Sequence, residues 1–328
     1  MSRKGCLSAM KTLASSEETS PLQQFVDAHL WLFVLVWVVI IFPICWLIAH
    51  FLLARVVSGS VGAVLRETVL VVVAFAFLSL LQWWHKVGFT QGISRNDVFV
   101  CLFPTLLTVF IAWGALSSST VGSRIFFFAV YAFIIAVAEE SIFRGIILQT
   151  LLPKGVLQAL FLSTLIFALL HVSNLFVGLP WTYVSGQVLF TFGDGLAYAV
   201  MRVRTGSIWP AILLHCLTDF GALVATGGGT GIKAPSLLIS LLTGGSICLV
   251  YIIYAAIALR YSKLREIYTH LEPKPRSSSS KRKAALNSSS SDSHVTVPEM
   301  IAKEKQRMLK RAKGHPHATR KKQRIPDR

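Results

Sequence analysis

Long apolar stretches dominate the chain and are broken at intervals by short polar clusters. A helix that crosses a bilayer needs roughly 20 mostly apolar residues, and fewer where neighbours bury it. On that measure the pattern predicts eight spans, near 30–53, 67–84, 98–116, 125–151, 156–172, 184–201, 208–226 and 237–259. The first and last are the clearest, whereas Gly, His and Asp interrupt the fifth to seventh. An even number of crossings puts both ends of the chain on one side. Connections on that side carry Lys86, Arg95, Lys154, Arg202 and Arg204, with Arg3, Lys4 and Lys11 ahead of the first span; the other side carries Arg55, Arg66, Arg124 and Lys233. The excess of Lys and Arg on cytoplasmic loops then predicts cytosolic termini.

Composition agrees with this pattern. Of 328 residues 54% are hydrophobic and 14% charged, and the mean hydropathy is +0.62. Those values exclude an ordinary soluble domain. The expected fold class is all-α, a polytopic integral membrane protein of about eight transmembrane helices, without an internal repeat. Net charge is +17, but residues 260–328 hold 19 Lys and Arg against 6 Asp and Glu, so the basic character belongs to a tail. The organisation reads as a cytosolic N-terminal segment (1–28), a helical membrane domain (29–260) and a basic, Ser-rich tail (261–328).

The tail is poor in large apolar residues and is expected to stay disordered in the cytosol. Within it, "EMIAKEKQRMLKRAKG" has the makings of a short basic helix on anionic lipid, at about 1 kcal/mol per basic residue, with the serine runs as candidate phosphorylation switches. No nucleic-acid partner is expected. The cysteines Cys6, Cys45, Cys101, Cys216 and Cys248 lack CxxC or framework spacing and read as reduced thiols. The first 24 residues lack the short apolar core of a secretory signal.

Candidate chemistry sits in the later spans, where ionisable residues are expensive and functional by default. Glu140 and Arg144 are four residues apart and share a helix face as an ion pair. Glu139, rotated by about 100°, is left to face a cavity. Phe167 and His171 repeat the four-residue spacing, so the ring can pack on the imidazole; His215 and Asp219 repeat it again and present two polar groups together. If the three helices converge, a carboxylate and an imidazole can take a proton from water while the remaining pair steadies an oxyanion or helps hold a metal. Each residue also has a plainer role available: a hydrogen-bonded packing histidine, a helix-locking ion pair, and for Asp194, among glycines, a cap or joint between helix halves. Trp83, Trp84, Trp181 and Trp209 read as interface anchors.

"EESIFR" (139–144), "FALLH" (167–171) and "HCLTD" (215–219) fit EExxxR, FxxxH and HxxxN/D, in order and each within an apolar span. Over roughly residues 130–222 the chain resembles the CAAX-protease and bacteriocin-processing (CPBP, or ABI) intramembrane protease family, and is similar to its CAAX prenyl endopeptidases. The resemblance implies a helical bundle around a hydrated catalytic chamber open to the cytosol and to lipid. It also implies an endopeptidase without a covalent intermediate. Carried over by motif position, Glu139 would activate water together with His171, Arg144 with Glu140 would orient it, and His215 with Asp219 would stabilise the oxyanion.

In the prenyl branch, proteins ending in C-a-a-X with a lipidated Cys lose their last three residues. That branch generally has Asn where this chain has Asp219, and often a second His where it has Asn174. A carboxylate at 219 cannot donate to an oxyanion unless protonated. Two His and carboxylates also suit zinc, which makes zinc the one cofactor candidate, with Glu139, His171, His215 and Asp219 as its ligands. Expected partners are therefore a protein or peptide substrate, with a prenylated one in view, and the lipid bilayer. The endoplasmic reticulum membrane is the preferred location, with another organelle envelope or a plasma membrane open. A non-proteolytic scaffold or chaperone of the same fold is the rival, and a transporter ranks below it for want of repeated halves.

Overall fold

The computed structural model describes residues 20–49, 57, 59–95, 97–117, 122–228 and 234–260. The basic tail lies outside the described residues, as do most of the N-terminal segment and the end of the first predicted span.

Among the described residues the fold is all-α. A short helix, Pro21–Ala28, opens on a capping box in which the Ser20 hydroxyl and the Gln23 side chain each satisfy the other's backbone. The long helices follow: α1 Leu30–Leu47, α2 Gly59–Leu80, α3 Val98–Ser117, α4 Ile125–Lys154, α5 Val156–Leu170, α6 Trp181–Thr205, α7 Trp209–Thr226 and α8 Leu237–Arg260. Six of them, all except α3 and α6, are long and apolar enough to cross a membrane. Their outer faces suit lipid: Phe99, Phe110 and Phe126 are about three-quarters exposed, at 76%, 75% and 76%. This is a multi-pass membrane protein.

The predicted spans match these helices with three informative shifts. The second begins at Gly59, not 67, because Arg66 and Glu67 do not end the helix but face a cavity inside the bundle. Leu81–Thr90 is a run of turns that packs back on the bundle, with the Trp83 side chain buried. An interface-anchor role for Trp83 is thereby overturned. Helix α6 is continuous through Asp194, which therefore neither caps nor joins helix halves.

Helices α6 and α8 touch backbone to backbone. A Cβ on Gly244 would lie 2.1 Å from the Gly186 carbonyl oxygen, so only glycine permits the approach.

Contacts at the helix ends sort the connections onto two faces. On one, the Gln23 amide donates to the Leu81 carbonyl, Arg202 donates to the Lys86 carbonyl, the Ile208 amide donates to the Gly88 carbonyl at 3.2 Å, and Arg204 donates to the Ala258 carbonyl. On the other, Trp46 meets Phe176 at 6.4 Å, and Gly228 lies against Phe128. Gln23 and Ala258, near the two ends of the described helices, thus belong to the same face. A cysteine placed at Ile93 and one placed at Val177 should react with a membrane-impermeant maleimide from opposite sides of sealed vesicles. Labelling of both from one side would overturn this path.

Candidate functional site

Helix α4 carries the two glutamates at the point where its hydrogen bonding changes register: Ile125–Glu140 is α-helical and Ser141–Ile147 is a π turn. Such turns re-aim side chains and concentrate at functional sites. The two neighbours sit in the last α-helical turn of Ile125–Glu140, where the ordinary step of about 100° per residue aims them apart. The Glu140 side chain is fully buried, whereas that of Glu139 is 23% exposed and faces a cavity.

Glu140 is the hub. Its Oε1 accepts from Arg144 Nη1 at 2.8 Å and from His215 Nδ1 at 2.8 Å, which joins α4 to α7. Arg144 Nη2 donates to the Gly195 carbonyl at 3.0 Å and so adds α6. The guanidinium lies over the Phe167 ring at 4.2 Å and near that of Tyr198 at 5.6 Å. Gly195 leaves room for this, because a Cβ there would sit 2.8 Å from Arg144 Nη2 and 2.9 Å from Phe167. Arg144 and Glu140 are not in ion-pair contact with Glu139; the expected orienting role toward Glu139 gives way to one toward His215.

A carboxylate only accepts, so His215 donates through Nδ1 and presents Nε2 to the cavity. That atom lies 3.6 Å from Glu139 Oε2 and 3.5 Å from Asp219 Oδ2. The ring stacks on Tyr198 at 5.8 Å, and the Tyr198 hydroxyl bonds Thr218 Oγ1 at 2.9 Å. His171, at the end of α5, places Nδ1 2.9 Å from the Phe167 carbonyl and leaves Nε2 as an acceptor. Phe167 meets it edge-on at 4.8 Å, as the four-residue spacing predicts.

All six sequence-predicted residues therefore gather around one centre. Glu139, His171, His215 and Asp219 line a cavity of about 660 Å³, while Glu140 and Arg144 stand behind them. This larger, more polar cavity runs past Arg66, Glu67 and Tyr131 to Gly59, Arg124, Asn174 and Gly228, on the face opposite the Leu81–Gly88 turns. A second cavity of about 320 Å³ lies between α6, α7 and α8, beside lipid-exposed Ile239, and shares Phe167, His171, His215 and Asp219 with the first. Asp194 lines it at 3% exposure with Oδ1 unpartnered, and Ser240 Oγ beside it is also unpartnered. Sequence reasoning left Asp194 outside the site; its signal was a carboxylate in an apolar span. Buried polar atoms without partners call for water or a ligand.

The zinc expectation fails the fit. Among the described residues no group of three or more His, Cys, Asp or Glu is placed to hold a metal ion. Phe167 packs edge-on against both imidazoles, at 4.8 Å and 5.8 Å, and His215 Nδ1 is committed to Glu140. What the arrangement can do is acid–base chemistry on water: a partly exposed carboxylate, an accepting imidazole nitrogen and a held imidazole line one cavity.

Residues 121–221 match the family described as Type II CAAX prenyl endopeptidase Rce1-like. Over that segment the chain is similar to the family. No curated protein and no solved structure gives a match. The Rce1-like segment runs from the start of α4 through Asp219 and holds all six residues, and the family is one of membrane endopeptidases. The match suggests an intramembrane protease acting on a protein substrate.

Replacing Glu140 by Gln should leave the buried Arg144 without its counter-charge and cost about 3–5 kcal/mol. Thermal unfolding of the detergent-solubilised protein should show a marked loss for Glu140→Gln and little for Glu139→Gln; equal stability of Glu140→Gln and wild type would remove Glu140 from this role.

Proposed function

We propose that the chain is an intramembrane endopeptidase that hydrolyses a peptide bond with water activated by Glu139. The observation that carries this is the meeting of Glu139, His171, His215 and Asp219 where two cavities join, inside the family's matched segment. Glu139 takes a proton from water held against His171 Nε2. The water oxygen attacks the scissile carbonyl, and the negative charge that develops on the carbonyl oxygen lies beside His215, which Glu140 and Arg144 hold in place. The proton taken up by Glu139 passes to the leaving amine as the C–N bond breaks. Asp219 stands 3.5 Å from His215 Nε2 and favours a ring that donates toward the carbonyl oxygen.

The two cavities divide the substrate. The polar one suits an extended peptide, and the apolar one, open beside lipid at Ile239, suits an apolar side chain or an isoprenoid. A prenylated C-a-a-X end fits both. It also sets a condition on topology. The peptide mouth lies on the face opposite the Leu81–Gly88 turns and Ala258. A C-a-a-X substrate requires the Arg124–Gly228 face to be cytosolic, against the charge bias of the connections. With the opposite orientation the substrate is a different membrane-borne peptide, presented from the far side.

Cleavage of a fluorogenic farnesylated C-a-a-X peptide by the purified full-length protein tests the activity. Wild type should cleave it, Glu139→Gln should lower the rate by about 10²–10⁴-fold, and a chelator should leave the rate unchanged. Activity that persists in Glu139→Gln would sink the proposed base, and loss with chelator would reinstate a metal.

A further inference from the structure

One carboxylate near the centre has no task in the proposed hydrolysis. Asp194 on α6 is 3% exposed and lines the 320 Å³ cavity, and its Oδ1 has no hydrogen-bond partner. Among the described residues it takes part in no ion pair, because Arg144 is spent on Glu140, and His215 on Glu139, Glu140 and Asp219. Four carboxylates, Glu139, Glu140, Asp194 and Asp219, thus stand against one guanidinium and one imidazole, while Glu67 and Arg66 in the larger cavity add one charge of each sign. A buried acid in excess calls for a cation from outside the fold.

Asp194 stands close to the reacting groups. Gly195, the next residue, gives its carbonyl to Arg144 at 3.0 Å and leaves room for Phe167, which lines both cavities. From that level the smaller cavity follows one face of α6 back through Thr191 and Gln187 to Gly186, about 12 Å of helix, where Gly186 meets Ser240 beside lipid-exposed Ile239. Phe190 and Ile247 wall the stretch between. An isoprenoid that filled this space to its end would leave Oδ1 dry and unpaired, so the acid works against a wholly apolar occupant.

We infer that Asp194 receives the ammonium of a lysine side chain beside the cleaved bond, and so selects substrates that carry lysine there. A lysine stem is apolar, and its head is a compact cation with three donors. Oδ1 of Asp194 supplies one acceptor. Thr191, 5% exposed and three residues earlier on the same lining face, donates its hydroxyl to the Gln187 carbonyl at 2.9 Å and keeps lone pairs for a second bond. A single free carboxylate oxygen suits an ammonium better than a guanidinium, whose fork takes two. The inference rests on the endopeptidase reading but is separable from it, because it concerns binding.

The test uses a short fluorescent peptide of apolar residues whose central residue is lysine, norleucine or N-acetyl-lysine, titrated by anisotropy onto full-length Glu139→Gln protein in a non-ionic detergent. The lysine peptide should bind at least about tenfold more tightly than the other two. Adding Asp194→Asn should erase that preference by weakening the lysine peptide alone, and Asp194→Leu should turn it toward norleucine. Equal binding of the three peptides to the Glu139→Gln protein, or none by the lysine peptide, overturns the inference, and that comparison needs no change at Asp194. So does an Asp194→Asn loss that falls equally on all three. Lysine-selective binding with no cleavage by wild type, of this peptide or of the C-a-a-X peptide, would sink the protease reading and leave the ammonium site standing.

Discussion

The interaction on which the rest depends is the shared oxygen of Glu140. A carboxylate at this depth in an apolar bundle is tolerated only if its charge is met. Here Arg144 and His215 meet it through one atom, at 2.8 Å each. Because these partners stand on different helices, and Arg144 reaches on to the Gly195 carbonyl, neutralising one charge also fixes the mutual position of α4, α6 and α7. Phe167 and Tyr198 complete the enclosure and keep water from competing for the guanidinium. A requirement of desolvation has become a device for alignment.

That alignment gives Glu139 its different character. The two glutamates are neighbours in sequence, yet one is sealed and the other opens on a cavity, because about a quarter-turn of α-helix aims them apart. His215 is the link between them: Nδ1 is pinned by the buried carboxylate, and Nε2 is held at 3.6 Å from the open one. Hydrolysis needs a base free to accept a proton beside groups that do not move. The sealed cluster supplies the fixed part.

Much of this was legible in the sequence, because it is local. Four-residue spacings within single helices foretold the Glu140–Arg144 pair and the Phe167–His171 contact, and the length of each apolar run foretold a helix. Contacts between helices were not legible. Nothing in the order of residues said that His215 would bond Glu140 and turn only its far nitrogen toward Asp219. Nothing distinguished Arg66, which faces a cavity, from a charge that ends a span. Trp83 failed for a related reason: an aromatic next to a helix end looks like an interface anchor unless the following turns fold back and cover it. Zinc was suggested by residue types alone. Phe167 packs against both imidazoles, and among the described residues no three such side chains are placed to hold an ion.

The position of the mouth bears most directly on biology, and it follows from contacts at the helix ends. The contacts of Gln23, Arg202 and Arg204 with Leu81, Lys86 and Ala258 gather on one face of the described helices, while the polar cavity is bounded by Gly59, Arg124, Asn174 and Gly228 on the other. Whatever enters the site as a peptide comes from that second face; whatever enters as an apolar group comes from beside α8. Charge bias among the connections and a cytosolic substrate pull the orientation in opposite directions, and both cannot prevail. Arg66 and Arg124 line that cavity, so part of the positive charge on its face belongs to the site rather than to the connections.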